Sequence, residues 1–155
     1  MGAFSQHELE TLLPLACAWA QDQQKIILRT GVALSSTQLL DARQVGVIDP
    51  WRVRLLAVPE IAIGADPGLA SAASRLGLIT PNTSGLTLDH GVFLRSDRWN
   101  DRRLLVHELA HVVQYERFGS LEAFLREYLQ QCNDVGYTNA PLELEALRIE
   151  AELCV

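Results

Sequence analysis

His107-Glu108-Leu109-Ala110-His111 places two imidazoles four residues apart with a carboxylate beside the first. On an α-helix, positions i and i+4 share a face, so both rings can reach one metal ion. Glu108 is rotated about 100° from His107 around the same helix. It therefore stands beside the ion rather than on it, where it can take a proton from a water that the ion has activated. Neutral imidazole is a preferred zinc ligand, and three protein ligands leave a fourth position open for chemistry. Leu104, Leu105, Val112 and Val113 surround the motif with apolar positions, which predicts that it sits in the middle of a packed helix.

The third ligand must come from elsewhere. Position 114 is Gln, position 117 is Arg, and no His follows His111, so a carboxylate or a Cys has to serve. The C-terminal segment offers Glu143, Glu145, Glu150 and Glu152. Glu143 and Glu145 are two residues apart and point to nearly opposite sides of a helix. Glu143 shares its face with Ala146, Leu147 and Glu150, and the small Ala146 would allow close approach to the metal helix. Glu145 shares its face with Arg148, Ile149 and Glu152, a more charged side. The facial pattern favours Glu143, with Glu145 as the alternative and Cys132 assigned to the core. A developing oxyanion gains from a second donor besides the metal. Tyr137, just ahead of the last helix, is the candidate by position, followed by Tyr115 and His90. Gln114 faces the same way as the ligands and could hydrogen-bond one of them or cap nearby backbone.

His-Glu-Leu-Ala-His-Val-Val-Gln (107–114), followed by Ala-Pro-Leu-Glu-Leu-Glu-Ala (140–146), resembles the gluzincin metallopeptidases. More closely, it resembles their minimal bacterial members, the minigluzincins, and related uncharacterised bacterial domains. The resemblance covers about residues 86 to 152. It implies a zincin-like fold with short strands before the active-site helix and a later "glutamate helix" marked Glu-x-x-Ala, matched by Glu143-Leu144-Glu145-Ala146. It also implies Zn2+ as cofactor, His107, His111 and Glu143 as its ligands, and Glu108 as general base. Many gluzincins carry an Asp four residues after the ligand Glu, where it orients the first His. Leu147 stands there in this chain, so Glu150 or a backbone carbonyl would have to substitute.

These residues need elements to hold them. Ser5-Gln6-His7-Glu8 is a capping-box pattern opening an amphipathic helix, predicted to kink or restart at Pro14 and to end near Arg29 before Gly31. Ser35 or Ser36 can cap a second helix through about Gln44. Val53 to Val58 reads as a strand by its branched and aliphatic content. Asp66-Pro67 opens a helix that Gly77 closes. Leu86 to Leu94 looks like two short strands around Asp89-His90-Gly91, and the strand near Val92 to Leu94 is expected to hold an extended substrate at its open edge. A cap between Ser96 and Asp101 starts the metal helix, predicted to be the longest, which ends at Phe118 and Gly119. Ser120 caps the next helix to about Cys132, residues 133–139 form a loop, and Pro141 begins the last helix. The expected fold is α+β and mostly helical: one domain over 1–155, with N-terminal helices and a first strand in 1–85 and the catalytic half in 86–155.

Composition bounds the rest. The chain has 155 residues, 48% hydrophobic and 21% charged, with 19 acidic and 13 basic side chains and a net charge of −6. Nucleic acid is a poor partner for so acidic a chain, because phosphate neutralisation needs a basic face. Arg98, Arg102 and Arg103 could meet an acidic partner but read better as a solvated face. Three isolated cysteines argue for buried thiols rather than a disulfide framework. No apolar run approaches the roughly 18 residues that span a bilayer. Leu12 to Ala20 lacks the positive flank of a signal peptide. The expectation is a cytoplasmic protein acting on a peptide or protein substrate, without nucleic-acid or membrane partners. Two functions compete. One is a zinc peptidase using Glu108 as base. The other is a zinc-stabilised, weakly active or inactive protein-binding or effector module on the same scaffold. An intact Glu108 favours the first, and Leu147 favours the second.

Overall fold

In the computed structural model, which describes residues 2–64 and 66–155, six α-helices surround a small mixed sheet. The order is α1 (Gln6–Thr30), β1 (Val32–Ala33), α2 (Ser36–Val45), β2 (Arg54–Val58), α3 (Pro67–Arg75), β3 (Gly85–Leu88), β4 (Gly91–Arg95), α4 (Arg102–Phe118), α5 (Leu121–Val135) and α6 (Pro141–Leu153). This is a mostly helical α+β fold. No helix among the described residues is long and apolar enough to cross a membrane.

Local chemistry sets the helix ends. Ser5 and Ser35 each accept from the backbone N–H three residues on, and Glu8 and Gln38 accept from the cap N–H in return. Asp66, Asp101 and Ser120 cap α3, α4 and α5 in the same way through side-chain oxygens. Gly119 ends α4 in the left-handed conformation. α1 departs from expectation, running unbroken for 25 residues through Pro14, and it, not α4, is the longest helix. Pro14 and Glu10 both lie on the exposed face, so the carbonyl freed by the missing N–H faces water. α5 also outlasts its expected end at Cys132, continuing to Val135, and a 3₁₀ turn at Tyr137–Asn139 replaces most of the loop.

The sheet order is β1-β2-β4-β3, with β2 and β4 parallel and the other pairs antiparallel. Side chains alternate between two cores. Val53, Leu55, Val92 and Leu94 pack with Leu105, Leu109 and Val112 of α4. Leu88 and Phe93 pack with Leu13, Cys17 and Ile27 of α1. The sheet thus lies between α1 on one face and α2 with α4 on the other. Leu109 and Val112 are fully buried, and burial of each such side chain stabilises by about 1.5–3 kcal/mol. α4 is therefore anchored rigidly, and its motif with it. The three cysteines are buried free thiols. Burial pushes the Cys132 thiol up to about 12, which makes it an inert core residue.

Candidate metal centre

The apolar face of α4 is spent on the sheet, which turns His107 and His111 toward α6. Pro141 starts α6, and Ala146, fully buried, lets the two helices pack closely. Glu143 enters between the imidazoles. His107 Nε2 lies 3.0 Å from Oε1 of Glu143, and His111 Nε2 lies 2.8 Å from Oε2. All three side chains are buried, and their ligand atoms lie within 4.8 Å of one another. Ligands around tetrahedral zinc, at bond lengths of 2.0–2.1 Å, stand about 3.3 Å apart. The observed spacings are slightly shorter, so a small outward shift of the three groups would admit an ion. Two imidazoles and one carboxylate, buried and converging, could bind a metal ion.

Further side chains set the orientation of these groups. Gln114, fully buried, donates from Nε2 to the Leu142 carbonyl at 2.9 Å and to Glu145 Oε1 at 2.8 Å. Those acceptors fix the amide, so its Oε1 accepts from Nδ1 of His111 at 2.8 Å. A proton on Nδ1 leaves the lone pair of neutral His111 on Nε2, facing Glu143. Glu145 receives Gln114 and Arg117, the latter at 2.9 Å, and is turned away from the imidazoles. Tyr128 of α5 donates to Glu143 Oε2 at 2.7 Å. Glu150 sits 3.8 Å from the Arg103 guanidinium, and Leu147 is 45% exposed.

The electrostatics follow from this packing. Burial pulls His111 down, but the hydrogen bond and charge of Glu143 outweigh it and raise the ring to about 9. His107 is raised by the same balance. Burial favours the neutral form of Glu143, yet hydrogen bonds from both imidazoles hold its carboxyl well below the usual range. Burial, reinforced by the charge of Glu143, keeps the hydroxyls of Tyr128 and Tyr137 protonated and able to donate.

Glu108 is held separately. Its Oε1 accepts from Thr87 Oγ1 of β3 at 2.9 Å, and the same hydroxyl lies 3.1 Å from its backbone carbonyl. A Cβ at Gly85 would stand 3.0 Å from the Glu108 carboxylate, so only glycine fits there without displacing it. Two cavities meet at Glu108, and Tyr137, half-buried, lines both. One is apolar and runs between α1, α3 and α5. The other is polar, lined by Asn82, Ser84, Arg98, His107 and Glu150.

Other residues singled out by their place in the sequence fall elsewhere in the fold. Tyr115 donates to the Thr87 carbonyl at 3.1 Å and stacks on Phe124, bracing β3 instead of facing a reacting group. His90 lies between Asp89 and Glu116, 3.0 Å from each, and is not part of the His107 cluster. Glu116 also accepts from the backbone N–H groups of Ile48 and Asp49, so this second His/acid group ties the 48–49 loop to α4. Arg102 pairs with Asp41, Arg98 with Asp101, and Arg103 donates to the Cys154 carbonyl, so all three arginines are used within the fold. Val92 to Leu94 offers no open edge, because β4 is paired on both sides, and β3 is the free edge beside Glu108. Thr87 and Tyr128 carried no signal in the sequence. Each is identified only by what the fold brings opposite it.

Comparison of the chain with protein-family models, with curated proteins and with solved structures finds no match to any of them.

Proposed function

We propose that this chain is a zinc-dependent peptidase of the gluzincin type, cleaving within peptide or protein chains with Glu108 as general base. The observation that carries the reading is the pairing of two carboxylates with different tasks at one place. Glu143 is clasped by both imidazoles, whereas Glu108 is held off them by Thr87 at the meeting of two cavities. Two His and one carboxylate suit zinc best among common metals. When bound by His107, His111 and Glu143, zinc supplies a Lewis acid that polarises the peptide carbonyl and acidifies a water.

The remaining steps belong to the chain's own groups. Thr87 occupies Oε1 of Glu108, which leaves Oε2 to take the proton from the attacking water and return it to the leaving amine. Tyr137 stays protonated and donates to the carbonyl oxygen as charge develops there. Arg95 N–H donates to the Ser84 carbonyl, so Ser84, Leu86 and Leu88 turn their backbone groups toward β4. Gly85 turns its own to the free edge, as Thr87 turns its N–H while its carbonyl is taken by Tyr115, so an extended substrate can add there as a short further strand beside Glu108.

The exposed Leu147 favours a second reading, a zinc-stabilised binding module with little turnover, since it offers His107 no acceptor. Removing metal with a chelator and restoring zinc separates the two. The peptidase reading requires cleavage of a denatured protein that vanishes and returns with zinc. The module reading predicts zinc-dependent binding of a protein without new chain ends.

A further inference from the structure

A second group of ligand-type side chains lies outside the candidate centre, where the loop before β2, the β3–β4 turn and the last turns of α4 meet. Its members are Asp49, His90 and Glu116, whose ligand atoms all lie within 4.8 Å of one another. The His90 ring and the Glu116 side chain are buried, and Asp49 stands half-buried at the rim. Nε2 of His90 lies 3.0 Å from Oε2 of Glu116. In the candidate centre, His107 Nε2 stands at the same 3.0 Å from Glu143. Cis ligands of an octahedral ion with bonds of about 2.1 Å stand about 3.0 Å apart, so an ion can replace the bridging proton with little movement.

The other atoms of the group are committed in the way a metal site requires. Glu116 accepts the Ile48 N–H on Oε1 at 2.8 Å and the Asp49 N–H on Oε2 at 3.1 Å, which fixes the carboxylate and leaves a lone pair on Oε2 toward His90. Behind the ring, Asp89 Oδ1 lies 3.0 Å from Nδ1. Metal-bound imidazoles carry a carboxylate or carbonyl at this position, which keeps the proton on Nδ1 and the lone pair on Nε2. Asp89 reaches it from a left-handed backbone, with φ 59°, the only positive φ outside glycine among the described residues. Nδ1 is nevertheless the one buried side-chain nitrogen or oxygen among the described residues without an aligned hydrogen-bond partner. A closed structural ion pair would align both ring nitrogens, and this ring aligns only Nε2. Three carboxylates thus surround one imidazole, and Arg52, exposed and 3.6 Å from Asp49, is the cation that an incoming ion has to displace.

We propose that Asp49, His90 and Glu116 form a second divalent-cation site, weaker than the first and suited to Mn2+. One imidazole and two carboxylates at a half-open site favour a hard ion that keeps several of its waters. Asp89 positions the ring from behind and does not touch the ion. α4 would then serve two ions, with His107 and His111 turned to α6 and Glu116 turned to the hairpin. The second ion fastens the 48–49 loop and the β3–β4 turn to α4, next to the strand that carries Thr87. This role is independent of whether the chain is a peptidase.

The test adds Mn2+ to full-length protein carrying one equivalent of zinc, so that the two-imidazole centre is filled first. Loss of the free-ion EPR signal measures binding, and paramagnetic broadening of amide resonances locates it. Saturation is expected at about one equivalent with a Kd on the order of 10–100 μM, between the sensor and extracellular ranges of Ca2+ sites. Asp49→Asn should weaken binding by about tenfold or more, because affinity follows the count of charged ligands. His90→Gln and Glu116→Gln should abolish it with zinc content unchanged. Arg52→Gln should tighten it by about twofold to fivefold, since a competing surface ion pair is removed. Broadening should centre on Ile48, Asp49 and His90. Asp49→Asn and Arg52→Gln alter partly or largely exposed side chains, so they decide the matter if the buried variants fail to fold. No saturable binding below about 1 mM Mn2+ overturns the inference. So does equal affinity in wild type, Asp49→Asn and Arg52→Gln, or broadening centred on Tyr128 and Glu143. Each of these leaves His90 as a buried imidazolium that only ties the loop to α4.

Discussion

The amide oxygen of Gln114 accepts a hydrogen bond from Nδ1 of His111 at 2.8 Å, three residues back on the same helix. The other end of that amide is fixed by the Leu142 carbonyl and Glu145 on α6. One buried side chain therefore sets the tautomer of His111 and joins the two helices that carry all three ligand-type groups. Replacing Gln114 with Leu removes both functions at similar volume. It should weaken zinc binding by about 10–100-fold. It should also destabilise the protein by about 2–3 kcal/mol, because the Leu142 carbonyl loses a buried donor. Competition with a chromogenic chelator and a chemical melt read the two effects. Unchanged zinc affinity would show that Gln114 has no part in holding the metal.

Glu143 and Glu145 are two residues apart on α6 and serve different partners. Glu143→Ala should abolish stoichiometric zinc binding, whereas Glu145→Ala should retain it and lose only the Gln114 and Arg117 contacts. Metal analysis of the purified variants decides between them. Zinc retained by Glu143→Ala and lost from Glu145→Ala would move the ligand role to Glu145.

Thr87 is predicted to position the base without touching the metal ligands. Thr87→Val keeps the shape and removes the hydroxyl that donates to Glu108. Hydrogen bonds to charged groups contribute about 1.5–3 kcal/mol, so kcat should fall about 10–100-fold with zinc content unchanged. Thr87→Ser, which restores the donor, should recover most of the loss. Full activity in Thr87→Val would show that Glu108 needs no such support.

The metal-free protein carries a definite pH signature. His111 is raised from its ordinary 6.5 to about 9, so its contribution to stability is full below pH 6.5 and is lost as pH rises through about 9. Glu143 is displaced the other way, so its contribution is present above its ordinary 4.5 and lost as pH falls through its depressed folded value. The cluster therefore stabilises the metal-free fold most between pH 4.5 and 6.5, and melting temperature should decline from pH 6.5 to 9. Glu143→Gln should remove that alkaline decline. Zinc competes with these protons, so the melting temperature gained on adding zinc should grow over the same interval.

Much of the site could be read directly because its signals are local. The i, i+4 spacing of His107 and His111, the side-chain caps at Ser5, Asp66 and Ser120, and the facial separation of Glu143 from Glu145 all depend on a single helix or its end. What could not be read depends on how elements meet. Pro14 looks like a break in α1 until its carbonyl partner is seen facing water. β4 looks like an edge until β2, distant in the chain, arrives beside it with Leu56 opposite Phe93. Tyr128 belongs to the centre only because α5 packs against α6. Thr87 belongs to it only because strand alternation turns Leu86 and Leu88 to α1 and Thr87 to α4.

The central claim is that Glu108 moves the proton in a zinc-dependent hydrolysis. The most direct measurement compares wild-type and Glu108→Gln proteins of equal zinc content on a denatured-protein substrate, counting new chain ends by mass spectrometry. Cleavage by the wild type is predicted at a rate about 10²–10⁴-fold above the variant, and abolished by chelation. Equal rates from the two proteins, insensitive to chelation, would contradict it.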